Sequence, residues 1–253
     1  MLQQIITLNL FGFILVFTRI GTAFILLPGF SAAFISVRAR LFFALAVSFV
    51  VATTLSGTLP GLPNTPTELF VILAGEAVVG GFLGTLARIM MSALQTAGTI
   101  IAFVSSMANA FVQDPIVDQQ SSLVAGFLGN VGVLLMFATN LHHLMLEGLV
   151  DSYSLFVPGQ MLAFGDFANI VGRRVMDSFA LGIQLASPFL IVGLTYYIGL
   201  GLLGRLMPAL PVFFVGLPLQ VMIQITVLMM ALSGMMMVFL RNFQEGLLAF
   251  SAF

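Results

Sequence analysis

Along the chain, long apolar runs alternate with short clusters of proline, glycine and charge. A bilayer core about 30 Å thick takes roughly 20 residues of helix, and six runs reach that length, over residues 5–27, 41–59, 68–112, 122–149, 170–203 and 212–241. Their boundaries carry recognisable breakers. Pro28-Gly29 and the basic turn SVRAR follow the first run, PGLPNTP the second, QDPIVDQQSS the third, DSYSLFVPGQMLAFGD the fourth, and GRLMPALP makes a tight proline turn between the last two. The third run exceeds one bilayer crossing and carries Gly, Ser, Thr and Gln, so it is expected to bend or break near Gln95 to Gly98. The pattern predicts an all-α integral membrane protein of about six long, partly kinked helices, organised as one domain over residues 1–253.

Composition sharpens this. Of 253 residues 60% are hydrophobic and 7% charged, against about 25% charged in an ordinary soluble domain, and the mean hydropathy is +1.16. The eight basic residues are all Arg, and nine carboxylates bring the net charge to −1, which leaves no basic face for nucleic acid. Cysteine is absent, excluding disulfides, thiolate metal sites and a Cys nucleophile. Trp is also absent and Tyr occurs three times, so aromatic belts at lipid interfaces would be built from the 26 Phe. The opening MLQQII lacks a basic n-region, so the first apolar run is expected to be retained rather than cleaved. Loop arginines divide evenly between the two sides, Arg38, Arg40 and Arg205 against Arg173, Arg174 and Arg241, and set no orientation.

Charge inside an apolar run marks function by default, which singles out Arg19, Glu76 and Arg88. Gly80 and Gly84 follow Glu76 at intervals of four, giving a carboxylate above a smooth groove suited to close helix approach. A helix contact or a proton relay fits that arrangement. Arg88 lies about 18 Å of helix rise beyond Glu76, too far to pair within one straight helix. His142-His143 point about 100° apart on a helix and lack the i, i+4 partner of a metal-binding face. Met235, Met236 and Met237 belong to a methionine group that suits either ordinary packing or a deformable seal around a conduit. Residues 106–122, SMANAFVQDPIVDQQSS, insert turn chemistry between two strongly apolar runs. Non-helical backbone at membrane depth survives only inside protein or beside a water-filled cavity, so the segment is a surface loop or a re-entrant plug. The motifs GxSxG, SxxK, GxxxxGK[ST] and HExxH are missing, as is Lys, which argues against catalysis.

An ordered series of features resembles the FliR family of flagellar type III export-gate subunits: Arg19 and Gly21 in the first run, Pro28-Gly29 before RARLFFALA, EAVVGGFLG from Glu76, the central FVQDP, HHLMLEGLVDSY, and GLLGRLMPALPVFFVGLPLQ. The resemblance spans essentially the whole chain, and FVGLPLQ inclines it toward the flagellar branch rather than the virulence injectisomes. It implies a fold like a fusion of the partner proteins FliP and FliQ, assembly with FliP-like and FliQ-like subunits and an FlhB-like subunit, no cofactor, and residence in the inner membrane at the flagellar basal body. It also implies a pore plug at residues 106–122, around Phe111, Asp114, Pro115 and Asp118; Glu76, Gly80, Gly84 and Arg88 are expected to pack helices and subunits, and Met235 to Met237, read from the methionine group itself, to form a gasket. One departure is Ala209, where family members often carry Gln after the proline of this turn. The function so implied is non-enzymatic passage of unfolded flagellar proteins across the inner membrane; the rival is a stand-alone ion- or proton-coupled transporter.

Overall fold

The computed structural model describes residues 2–32, 35–55, 59–107, 111–114, 119–160, 164–207 and 212–251. Within them the chain forms seven helices and one short hairpin: α1 (Leu2–Leu26), α2 (Val37–Thr54), α3 (Pro66–Val104), β1 (Phe111–Asp114), β2 (Gln119–Ser122), α4 (Leu123–Ala138), α5 (Leu141–Leu155), α6 (Phe164–Leu206) and α7 (Val212–Ser251). The fold is that of an all-α membrane protein. Four helices are each long and apolar enough to cross a bilayer, and a fifth crossing is available if the bent pair α4 and α5 counts as one span.

Local chemistry explains most boundaries. Gly29, at φ 83°, turns the chain after Pro28, and Arg40 closes the α1–α2 connection by donating from Nε to Phe30 O (2.9 Å) and from Nη2 to Ala32 O (3.2 Å). α3 begins with proline at its first helical position, where no amide is needed. Thr65 caps it, its Oγ1 accepting from Glu68 N at 3.2 Å. Ser36 and Ser122 cap α2 and α4 in the same way. Pro188 lies inside α6 and cannot donate to Gln184 O; Ser187 Oγ donates to that carbonyl instead, at 2.8 Å.

Three expectations change. The run 122–149 is broken: α4 ends at Ala138 and α5 begins at Leu141, with Asn140 between them in the left-handed conformation (φ 61°). Asn tolerates that conformation better than most residues, and Thr139-Asn140 is the signal the apolar pattern hid. Gln95 to Gly98 do not break α3, which is helical throughout from Pro66 to Val104. The same helix stops at Val104 rather than continuing to Val112, and the chain beyond it is extended in β1. The proline turn at 208–211 lies outside the described residues.

The chain folds as two compact units. The first comprises residues 1–90, 140–174 and 244–253, that is α1, α2, the first part of α3, α5 and the ends of α6 and α7. Its α1 is buried along Leu15, Val16, Arg19, Ile20, Ala23 and Phe24, a stripe of adjacent pairs repeating every four residues that Leu27 continues just past the helix end. Phe82 and Phe167 stack at 4.2 Å with Phe156 edge-on to Phe167 at 5.3 Å, beside Val79 and Leu86.

The second unit comprises residues 91–139 and 175–243 and contains the hairpin. β1 and β2 pair antiparallel, from Phe111 opposite Ser122 to Asp114 opposite Gln119. Here Gly98 serves a close contact, since a Cβ on it would lie 2.6 Å from Ala125 N. Only glycine lets the α3 and α4 backbones approach so closely.

Gly98→Ala is therefore expected to lower the melting temperature of the detergent-solubilised chain, at about 2–4 °C per kcal/mol for a chain of this size. Gly81→Ala, on the same helix with open space around it, is expected to leave melting unchanged or raise it. Equal melting of the two variants would refute the close α3–α4 contact.

Candidate functional site

The first unit is organised around Arg19, which has no exposed surface and sits in the middle of the buried stripe of α1. Its guanidinium grips Glu76 on α3 with two bonds, Nε to Oε2 at 2.7 Å and Nη2 to Oε1 at 3.0 Å. Nη1 donates to Ser152 Oγ at 3.1 Å and Nη2 also to Phe156 O at 2.7 Å. The Tyr153 ring packs against the guanidinium, 3.9 Å from its carbon to the ring centroid. Four of the five N–H groups of the fork are thus directed at acceptors on two other helices, an arrangement that a point-like lysine cannot copy.

Each partner is supplied by a local reason. Phe156 is the C-cap of α5, and its carbonyl belongs to the set that a helix end leaves without an intrahelical partner. Ser152 lies one turn earlier, on the same buried face as Tyr153 and Leu149. Glu76 faces α1 because Gly80, one turn on, removes the side chain that would keep the helices apart: a Cβ there would overlap Arg19 O and Thr22 Oγ1. A Cβ on Gly84 would lie 2.7 Å from Leu26 Cβ. The groove of Glu76, Gly80 and Gly84 is accordingly filled by α1 of the same chain.

Beside the pair is a cavity of about 40 Å³ lined by Arg19, Glu76, Val79, Phe156 and Gln160. At roughly 10–15 Å³ per water it has room for a few waters. The arrangement is chemically a structural clamp: a charge pair that holds three helices in register, with one flank able to hydrate. Among the described residues no three His, Asp or Glu side chains gather as a metal site. The imidazoles of His142 and His143 lie 4.1 Å apart, on α5.

The other sequence candidates lie apart from the clamp. Arg88 is exposed on α3. Met235 and Met236 are buried within the second unit, and Met237 is 69% exposed. Phe111 and Asp114 mark the ends of β1, while Pro115 and Asp118 lie outside the described residues. Charge alone pointed to Arg19 and Glu76 separately. Their pairing across 57 positions and the roles of Ser152 and Tyr153 needed the fold.

Replacing Arg19 or Glu76 alone by Ala strands a buried charge and is expected to cost about 3–5 kcal/mol. The double replacement Arg19→Met with Glu76→Leu is expected to recover most of that, because an apolar pair needs no solvation. Thermal melting of the solubilised chain decides it; a double variant as weak as either single one would show that pairing is not what the residues contribute.

Comparison with known proteins extends the argument over the whole chain. The family model described as bacterial export proteins, family 1, matches residues 10–246. Flagellar biosynthetic protein FliR of Caulobacter vibrioides is 35% identical over 231 residues, covering 91% of this chain and 92% of that protein. FliR of Bacillus subtilis is 32% identical, covering 91% and 89%. Yop proteins translocation protein T of Yersinia pestis is 24% identical over 231 residues, covering 87% and 85%. With the match running through every helix described above, the chain belongs to family 1 of the bacterial export proteins.

Proposed function

We propose that this chain is the FliR-type subunit of a flagellar type III export gate, a non-enzymatic part of the channel that passes unfolded flagellar proteins across the bacterial inner membrane. The observation that carries the reading is the near full-length similarity to flagellar relatives, which exceeds that to the translocation protein of a virulence system. An injectisome gate subunit is the second reading, on the strength of that last relative. FliP-like and FliQ-like membrane subunits and an FlhB-like subunit are the proposed partners, with unfolded export substrates as cargo. The many large exposed apolar side chains, Phe42, Phe70, Met222 and Met230 among them, favour a chain covered by lipid and by such partners.

Within this reading, residues 106–122 form the plug that keeps the resting channel shut. Supporting it is an extended hairpin set between α3 and α4, both strongly apolar. Extended backbone in such a place requires protein or a water-filled cavity around it.

An in-frame deletion of the gene is expected to abolish flagellin in the culture medium, and a plasmid copy to restore it; undiminished export in the deletion strain would overturn the flagellar reading. Removing residues 106–122 alone is expected to leave secretion standing while membrane conductance rises. Unchanged conductance in that strain would exclude the plug.

A further inference from the structure

The hairpin leaves α3 through a turn that its own sequence does not favour. Met107 N donates to Ala102 O at 2.9 Å and Ser106 N to Phe103 O at 3.3 Å, with Ser106 in the left-handed region at φ 61°. This is the Schellman ending, whose left-handed position is usually glycine. A serine there is disfavoured by the approach of its Cβ to the following carbonyl oxygen, so something outside the turn must hold it.

We infer that Gln220 of α7, together with Tyr197 of α6, is a latch that fixes this turn and hence the direction in which the hairpin departs. Gln220 is 1% exposed, and its whole amide is used at the turn. Nε2 donates to Val104 O, one of the carbonyls at the end of α3, and to Tyr197 OH at 2.9 Å. Oε1 accepts from Ser106 Oγ at 3.3 Å. Ser106 Oγ and Tyr197 OH are themselves 3.4 Å apart. Two donors and an acceptor are what a side-chain amide offers, and here they join the helix end, the left-handed residue and a neighbouring helix at one point. The far foot of the hairpin is fixed independently: Ser122 Oγ accepts from Ala125 N at 3.2 Å and lies 3.4 Å from Gly98 O, to which it donates.

The latch's effect on the hairpin stands without the plug; its effect on conductance rests on the plug reading above. Because the chain has no cysteine, a single Val112→Cys carries a nitroxide label that reports hairpin motion in the purified full-length chain. Gln220→Leu is expected to mobilise that label, and Tyr197→Phe, which removes one hydroxyl, to do so less. Gln224→Leu is the control: Gln224 lies one turn further along the same buried face, and its Nε2 donates to Phe189 O rather than to the turn. A label as immobile in Gln220→Leu as in the parent overturns the latch. Should Gln220→Leu fail to fold by circular dichroism, an unchanged label in Tyr197→Phe overturns it instead, and a loosened one supports it.

In cells, Gln220→Leu is expected to raise membrane conductance toward that of the strain lacking residues 106–122. A leak in the deletion strain without one in Gln220→Leu overturns the latch as the device that keeps the hairpin closed. No leak in either, with a mobilised label, overturns the plug reading and leaves the latch supported.

Discussion

A guanidinium removed from water must find acceptors for its N–H groups or be expelled, and the effective penalty for burying such an ion is several kcal/mol. Arg19 meets that demand through Glu76, Ser152 and Phe156 O, so α1, α3 and α5 are held to one mutual arrangement rather than sliding as smooth apolar cylinders would. Gly80 and the end of α5 follow from the same demand: one admits α1 to the carboxylate, the other brings a carbonyl that a helix end leaves without an intrahelical partner. The bidentate geometry fixes rotation as well as distance. Apolar packing alone specifies neither so narrowly.

In the second unit the same rule operates with neutral groups. Ser187 answers for the amide that Pro188 lacks. Gln220 takes the Val104 carbonyl where α3 stops, and Ser122 caps α4 while reaching back to Gly98 O. Hydroxyls and amides in an apolar chain are costly without partners, and several of those here complete a hydrogen-bond ladder that a proline or a helix end interrupts. They mark where the backbone departs from uniform helix.

What could be read from the sequence follows from how each feature is encoded. Long apolar runs and proline clusters are local signals, so the helical class and the interruption before Ser122 were legible. The break at Asn140 was not, because its effect is one left-handed residue within a run whose composition hardly changes. Gly98 was legible as special, but not as the place where α4 comes close, since a glycine in a helix looks the same whether it flexes or admits a neighbour. Glu76 and Gly80 stood out as a contact surface, but the identity of the occupant, α1 of the same chain, depends on tertiary packing. Gln220 was visible within FVGLPLQ without any hint that its amide reaches the end of α3.

α7 is uncharged from Val212 to Leu240, about 44 Å at 1.5 Å per residue, whereas the hydrocarbon layer is about 30 Å deep. Tilting of the usual extent, around 20°, shortens such a helix only slightly. Membrane thickness is therefore not the ruler by which this chain was cut. A newly made copy surrounded by lipid alone carries an apolar excess that the bilayer can accommodate only by thickening or by strong tilt, and relief from that mismatch becomes a driving force for assembly separate from any specific contact.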